Sequence, residues 1–138
     1  MALGLFFRIC EGDVMLLQIF KFAFVLALAA VLFLALTVTP WAGMVESDTV
    51  RHGFAFLVLP VLATIGWPRL SPWRQFAIFA GFGAAIELVQ GYMAIGRVAS
   101  LDDWIVDLIA LSAALLAMEV LALRHRVIAV AAPRPRHV

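Results

Sequence analysis

Charge is what this sequence has least of. Asp, Glu, Lys and Arg make up 14% of its 138 residues, against 65% hydrophobic residues, whereas a water-soluble domain carries about 25% charged and about 45–50% apolar side chains. That excludes an ordinary water-soluble domain, and the length allows one modest domain rather than two. Cysteine is nearly missing: Cys10 stands alone, which excludes an intrachain disulfide framework and leaves it as a small apolar side chain at a membrane edge. There is no surplus of positive charge either. The formal net charge is +1 and no basic stripe could follow a phosphate backbone, so nucleic acid is not an expected partner. No recognised metal-ligand spacing occurs, so no metal and no cofactor is expected.

What the chain does have is long apolar runs. Between Val14 and Val38 the only polar side chains of note are Gln18 and Lys21, and Phe22 to Leu36 has none. In hydrocarbon every backbone N–H and C=O must be paired within its own segment, so such a run has to be helical, and about 20 residues cover the core of a bilayer. The first run exceeds the length of a signal-peptide core and is read as a retained span. Four spans are expected, at 15–38, 53–67, 75–94 and 105–123. The second is short unless the helix draws in Thr49 to His52, and Pro60 in its middle should bend it. Trp41, Trp67, Trp73 and Trp104 all fall at span ends, where aromatic rings with a polar handle favour the headgroup level. Short connections should make sequential helices antiparallel neighbours. The expectation is an all-α polytopic membrane protein, an antiparallel bundle of four transmembrane helices over 15–123. Residues 1–14 form a cytoplasmic segment and 124–138 a disordered basic tail.

All ten Lys and Arg residues except Arg51 and Arg97 fall on the side that receives both ends of the chain. The positive-inside rule therefore places both termini in the cytoplasm of a multi-pass protein of the cell (inner) membrane. The nine acids run the other way, for only Glu11, Asp13 and Glu119 lie outside the outer half. Acids contribute little to orientation, so their enrichment calls for a separate cause.

Asp48 and His52 are four apart, on one face if Thr49 to His52 is helical. Such a histidine can be a general base, a metal ligand or a hydrogen-bonded partner of the carboxylate. Glu87 and Gln90 are three apart, about two turns below the outer end of span three, and a carboxylate at that depth should face the bundle interior. Gly83 and Ala84, one turn earlier, would let a neighbouring helix approach it. Asp103 and Asp107 share a face of span four that continues through Ala110 and Ala114, whereas Asp102 points away. Asp48, Glu87, Asp103 and Asp107 cannot all remain charged together in low dielectric without cations. Arg97 is the expected cation; Arg51 is expected to point elsewhere. Glu119 should stand apart, in contact with Arg124 or Lys21.

Taken together, these residues resemble the VanZ-like membrane proteins, whose pattern is an Asp-Lys-x-x-His before span two, a Glu-x-x-Gln late in span three, and an Arg followed by an Asp and, four residues on, an Asn. Asp48 and His52 fit the first motif with Thr49 in place of lysine. Glu87 and Gln90 fit the second. Arg97 and Asp103 fit the third, with Asp107 for asparagine and Ala110 for a following glycine. The resemblance covers residues 15–123 and implies a shared extracytoplasmic site.

The expected function is a cell-envelope protein whose outer site, formed by Asp48, His52, Glu87, Gln90, Arg97, Asp103 and Asp107, binds or handles a lipid-linked or cell-wall-related molecule. The alternatives are a membrane-embedded hydrolase or transferase with His52 as acid/base, helped by Asp48 or Asp103, and a structural membrane scaffold. Whether the chain is an enzyme stays open. Expected partners are membrane lipids, a lipid-linked envelope precursor, and a second copy of the chain, for which the Gly81/Ala85 or Ala113/Ala117 surfaces are suited.

Overall fold

A computed structural model describes the backbone of residues 2–37, 48–93 and 99–131 and the side chains of 14–37, 49–93 and 99–123. The described residues form four helices: α1 (Ala2–Leu36), α2 (Asp48–Gly66), α3 (Pro72–Met93) and α4 (Leu101–Ala131). Each contains a stretch long and apolar enough to cross a membrane: Val14–Leu36, Thr49–Gly66, Pro72–Met93 and Leu101–Leu123.

The helix ends follow local chemistry. Pro72 opens α3 in the first helical position, where its missing N–H is no loss, and the Ser71 carbonyl accepts the first helical bond from Gln75 N at 3.0 Å. Between α2 and α3 the Leu70 N–H bonds back to the Trp67 carbonyl at 2.9 Å, a turn with proline in its second position. The extension of span two through Thr49 to His52 is helical, so His52 stands in the second turn of α2. The helix also runs unbroken through Pro60, which is fully buried. α4 continues past residue 123 to Ala131, so the expected disordered tail is helical that far. Nothing between Arg124 and Ala131 is a glycine or proline, and only Pro133 biases the chain before it away from helix.

Sequential neighbours were expected, yet the most extensive packing is between α2 and α4, followed by α1 with α2. α2 and α3 touch only slightly. The cause lies in matching faces. Phe56, Leu59 and Ala63 on α2 meet Ala110, Leu111 and Leu115 on α4, with Phe79 of α3 completing the buried cluster. The small Ala110 and Ala114 are buried as their face predicts. α1 lies against this core through Phe24, Ala27, Leu28 and Val31. Phe24 joins edge-on rings of Trp67, at 5.2 Å between centroids, and Phe79, at 6.2 Å.

The outside of the bundle is apolar. Phe22, Phe33, Leu88 and Ile109 are among the many large exposed hydrophobics, far more than a water-soluble surface presents, as expected where the surrounding solvent is lipid. Of the tryptophans, Trp67 and Trp73 are exposed at the helix ends, and Trp41 lies outside the described residues. Trp104 is turned inward instead: its indole N–H donates to the Ala80 carbonyl of α3 at 3.1 Å, strapping α3 to α4.

Two truncations separate core from lipid face. Leu59→Ala, at a site with no exposed surface, is expected to cost about 2–5 kcal/mol of stability. Leu88→Ala, on a side chain 73% exposed, should change stability by less than about 0.5 kcal/mol. Thermal unfolding in detergent micelles measures both.

Candidate functional site

The start of α4 organises the outer end of the bundle. Ser100 caps the helix: its hydroxyl accepts the Asp103 N–H at 3.2 Å and its carbonyl the Trp104 N–H at 3.3 Å. In a reciprocal capping box the third helical residue would reach back to the Ser100 N–H. Here that N–H donates to Glu87 Oε2 on α3, at 2.7 Å. Asp103, released from that role, accepts the Thr49 hydroxyl of α2 at 2.6 Å. One helix start is thus bound to both α2 and α3.

Inside this girdle lies His52, buried between two carboxylates. Its Nδ1 is 3.2 Å from Asp107 Oδ2 on α4, and its Nε2 is 3.7 Å from Glu87 Oε1 on α3. Asp107 has no exposed surface, and His52 and Glu87 are each under 10% exposed. The second distance is too long for a hydrogen bond. Glu87 Oε1 and Asp107 Oδ1 are buried without hydrogen-bond partners. With Nδ1–H given to Asp107, a neutral imidazole would turn its Nε2 lone pair towards the Glu87 carboxylate. Either ring nitrogen can carry the proton, so which of the two carboxylates the imidazole serves as donor depends on its tautomer.

Gly83 makes this approach of α3 possible. A Cβ there would lie 3.0 Å from Asp107 Oδ2 and 3.0 Å from Phe56 Cζ, tighter than ordinary contact. The expectation that a small residue one turn before Glu87 admits a neighbouring helix is met at this position.

Beside His52 is a cavity of about 50 Å³, walled by α1 (Val31, Leu34, Ala35), α2 (Arg51, His52, Ala55, Phe56) and Ile86 of α3. A water molecule needs about 10–15 Å³ by the same measure, so the space admits water or one small polar group but not a complete lipid head group. Arg51, expected to point away, lines this cavity together with His52.

Not every expected site residue joins the cluster. Gln90 is buried, but its amide donates to the Ala35 carbonyl at 3.0 Å, satisfying one of the open carbonyls at the end of α1. Its role is to close a helix end, one turn beyond Glu87. Asp103 is bonded to Thr49 of α2, one turn before His52, and not to the imidazole itself. Asp102 is exposed, as its angle on the helix predicts. Arg97 and the side chain of Asp48 lie outside the described residues. Among the described residues, no group of three His, Cys, Asp or Glu side chains is arranged to hold a metal ion. Ser100 is engaged as a cap, which leaves it poorly placed as a nucleophile. Glu119 stands apart as expected, but Lys21 does not reach it: the Lys21 ammonium lies over the Trp67 ring, 5.8 Å from its centre.

A second polar group escaped the sequence entirely. Gln75 is buried near the other end of the bundle, donating to the Leu70 carbonyl at 3.2 Å, with the Thr64 hydroxyl 3.0 Å from its Oε1. A glutamine in the first turn of a membrane helix gives no periodic signal; only the proximity of Thr64 across a tight turn could have suggested it.

The cap predicts different outcomes for two substitutions. Glu87→Gln keeps a carbonyl that can accept the Ser100 N–H, whereas Glu87→Ala leaves that donor open, at a cost of about 1–3 kcal/mol. Amide hydrogen exchange at Ser100 should be slow in the native chain and in Glu87→Gln, and fast in Glu87→Ala.

Compared with known proteins, the chain matches no family model, and neither a curated protein nor a solved structure is detectably similar to it.

Proposed function

We infer that the chain is a cell-envelope membrane protein, its four helices crossing the bilayer antiparallel with both termini cytoplasmic, whose outer site engages the polar group of a lipid-linked or cell-wall-related molecule. The observation that carries this reading is the convergence of α2, α3 and α4 on a buried His52 held between Asp107 and Glu87, beside a cavity that Arg51 also lines. Ionisable groups are costly at membrane depth, and they occur there mainly where they pair with one another or serve a ligand. The resemblance to VanZ-like proteins supports the same end of the bundle as the site.

The size of the cavity shapes the proposal. Only the tip of a polar group enters, while the hydrocarbon part of the ligand lies along the lipid-facing surface of α1. Arg51 supplies a cation for a phosphate or carboxylate, with Arg97 as the second candidate from the neighbouring connection. A phosphorylated polyisoprenoid has the required chemistry.

One observation favours a second reading, catalysis with His52 as acid/base. A carboxylate on Nδ1 fixes the tautomer and orientation of an imidazole, as a base needs, and the adjacent cavity has room for a water nucleophile. In that case a hydrolase or transferase would act on the same amphiphile, and His52→Gln would abolish turnover.

Equilibrium binding of a radiolabelled polyisoprenyl phosphate to the full chain in micelles tests the site. Arg51→Ala and Arg97→Ala are each expected to weaken binding about tenfold, while Arg74→Ala, on an exposed side chain at the other end, leaves it unchanged. Native affinity in both Arg51→Ala and Arg97→Ala would remove the proposed site.

A further inference from the structure

At the end of the bundle opposite His52, α2 and α3 turn back sooner than α4 ends its apolar run. α2 stops at Gly66 and α3 starts at Pro72, whereas the apolar stretch of α4 continues to Leu123. The turn therefore lies beside the last part of that stretch, not beyond it. Arg69, Ser71 and Gln75 form one wall of a cavity of about 530 Å³, and Leu115, Met118 and Glu119 of α4 form the other. Residues 115–122 of α4, which line this wall, cover about 12 Å of helix, so the irregular backbone at 67–71 sits within the depth of the apolar stretch.

Non-helical backbone at that depth is tolerated where protein covers it or a polar-filled cavity adjoins it. The floor of this cavity is polar and firmly held: Gln75 is 1% exposed, with its amide on the Leu70 carbonyl and the Thr64 hydroxyl beside its Oε1. At its mouth stand two exposed side chains of opposite charge on different elements, Arg69 on the turn and Glu119 on α4. Among the described residues, no ion pair joins them. The volume falls in the range of small-molecule sites, about 300–1,000 Å³, unlike the 50 Å³ space at His52.

We propose that this cavity binds a phospholipid whose head group carries a phosphate and a primary ammonium, drawn from the leaflet on this side, with Arg69 on the phosphate and Glu119 on the ammonium. A zwitterion matches the two walls and adds no net charge at the edge of the hydrocarbon. The guanidinium grips the phosphate by paired hydrogen bonds, and a primary ammonium offers three donors to Glu119 and the Gln75 side of the cavity. The acyl chains descend along the exposed Leu116 of α4. This site is independent of the reading of the His52 end.

Native mass spectrometry of the full chain, released from micelles containing equal amounts of a diacyl phosphatidylethanolamine and a diacyl phosphatidylglycerol, tests the assignment. The native chain is expected to retain one ethanolamine lipid with about tenfold preference. Glu119→Gln should make the two lipids equal, and Arg69→Ala should lose both. Both residues are exposed, so the fold does not depend on them. Arg74→Ala and Asp102→Asn, which remove exposed charges outside the cavity, should leave the preference intact. Equal retention of the two lipids by the native chain, or an unchanged preference in Glu119→Gln, would overturn the proposal and leave the cavity to water. So would loss of the preference in either control.

Discussion

Asp107 has no surface open to its surroundings, and a carboxylate in that position cannot stand without a partner. Removing an ionised group from water costs several kcal/mol even after relaxation, and among the described residues the side-chain hydrogen-bond partner of Asp107 is His52, with Nδ1 at 3.2 Å. The rest of the outer end follows from that contact. Joining Asp107 to His52 fixes the rotation of α4 against α2, which brings Ala110, Leu111 and Leu115 onto Phe56, Leu59 and Ala63. It also requires α3 to come close enough for Glu87 to face the other imidazole nitrogen, which Gly83 permits by presenting no Cβ to Asp107 and Phe56. Glu87 then has one oxygen left for the cap of α4. Packing and capping at this end of the bundle are therefore coupled.

The two ends of the bundle solve different problems. The His52 end is charged, and its cavity has space for water or a small polar group. The other end is held by uncharged groups, Thr64 and Gln75, behind a wider cavity. The difference arises from helix length. α2 and α3 are 19 and 22 residues long and α4 is 31, so aligning the starts of α2 and α4 at His52 and Asp107 leaves α4 extending beyond the α2–α3 turn.

The four helices were legible in the sequence because a continuous apolar run in lipid has only one way to pair its backbone. The face shared by Asp103, Asp107, Ala110 and Ala114 was legible for a similarly local reason, the three-to-four residue spacing of one helix. Rotations between helices were not. Helices that are apolar nearly all round carry little periodic signal of which side meets which neighbour, and the extensive pairing of α2 with α4 does not follow from the order of the chain. For the same reason Arg51 was expected to turn away although it lines the cavity with His52, and Gln90 was grouped with the site although it closes the end of α1. The bond from Ser100 to Glu87 spans two elements and replaces a local cap, so no motif in either segment announces it. Gln75 was missed because its partners, Thr64 and the Leu70 carbonyl, meet only when the turn at 67–71 is formed.

The central claim is that the buried contact between His52 and Asp107 joins α2 to α4 energetically as well as geometrically. A double-mutant cycle of His52→Ala and Asp107→Ala, read by thermal unfolding of the full chain in micelles, tests it most directly. The account predicts a coupling of about 1–3 kcal/mol, with the double variant less destabilised than the sum of the single ones. Effects that add to within about 0.5 kcal/mol would show that the two side chains lie side by side without depending on each other, and would contradict it.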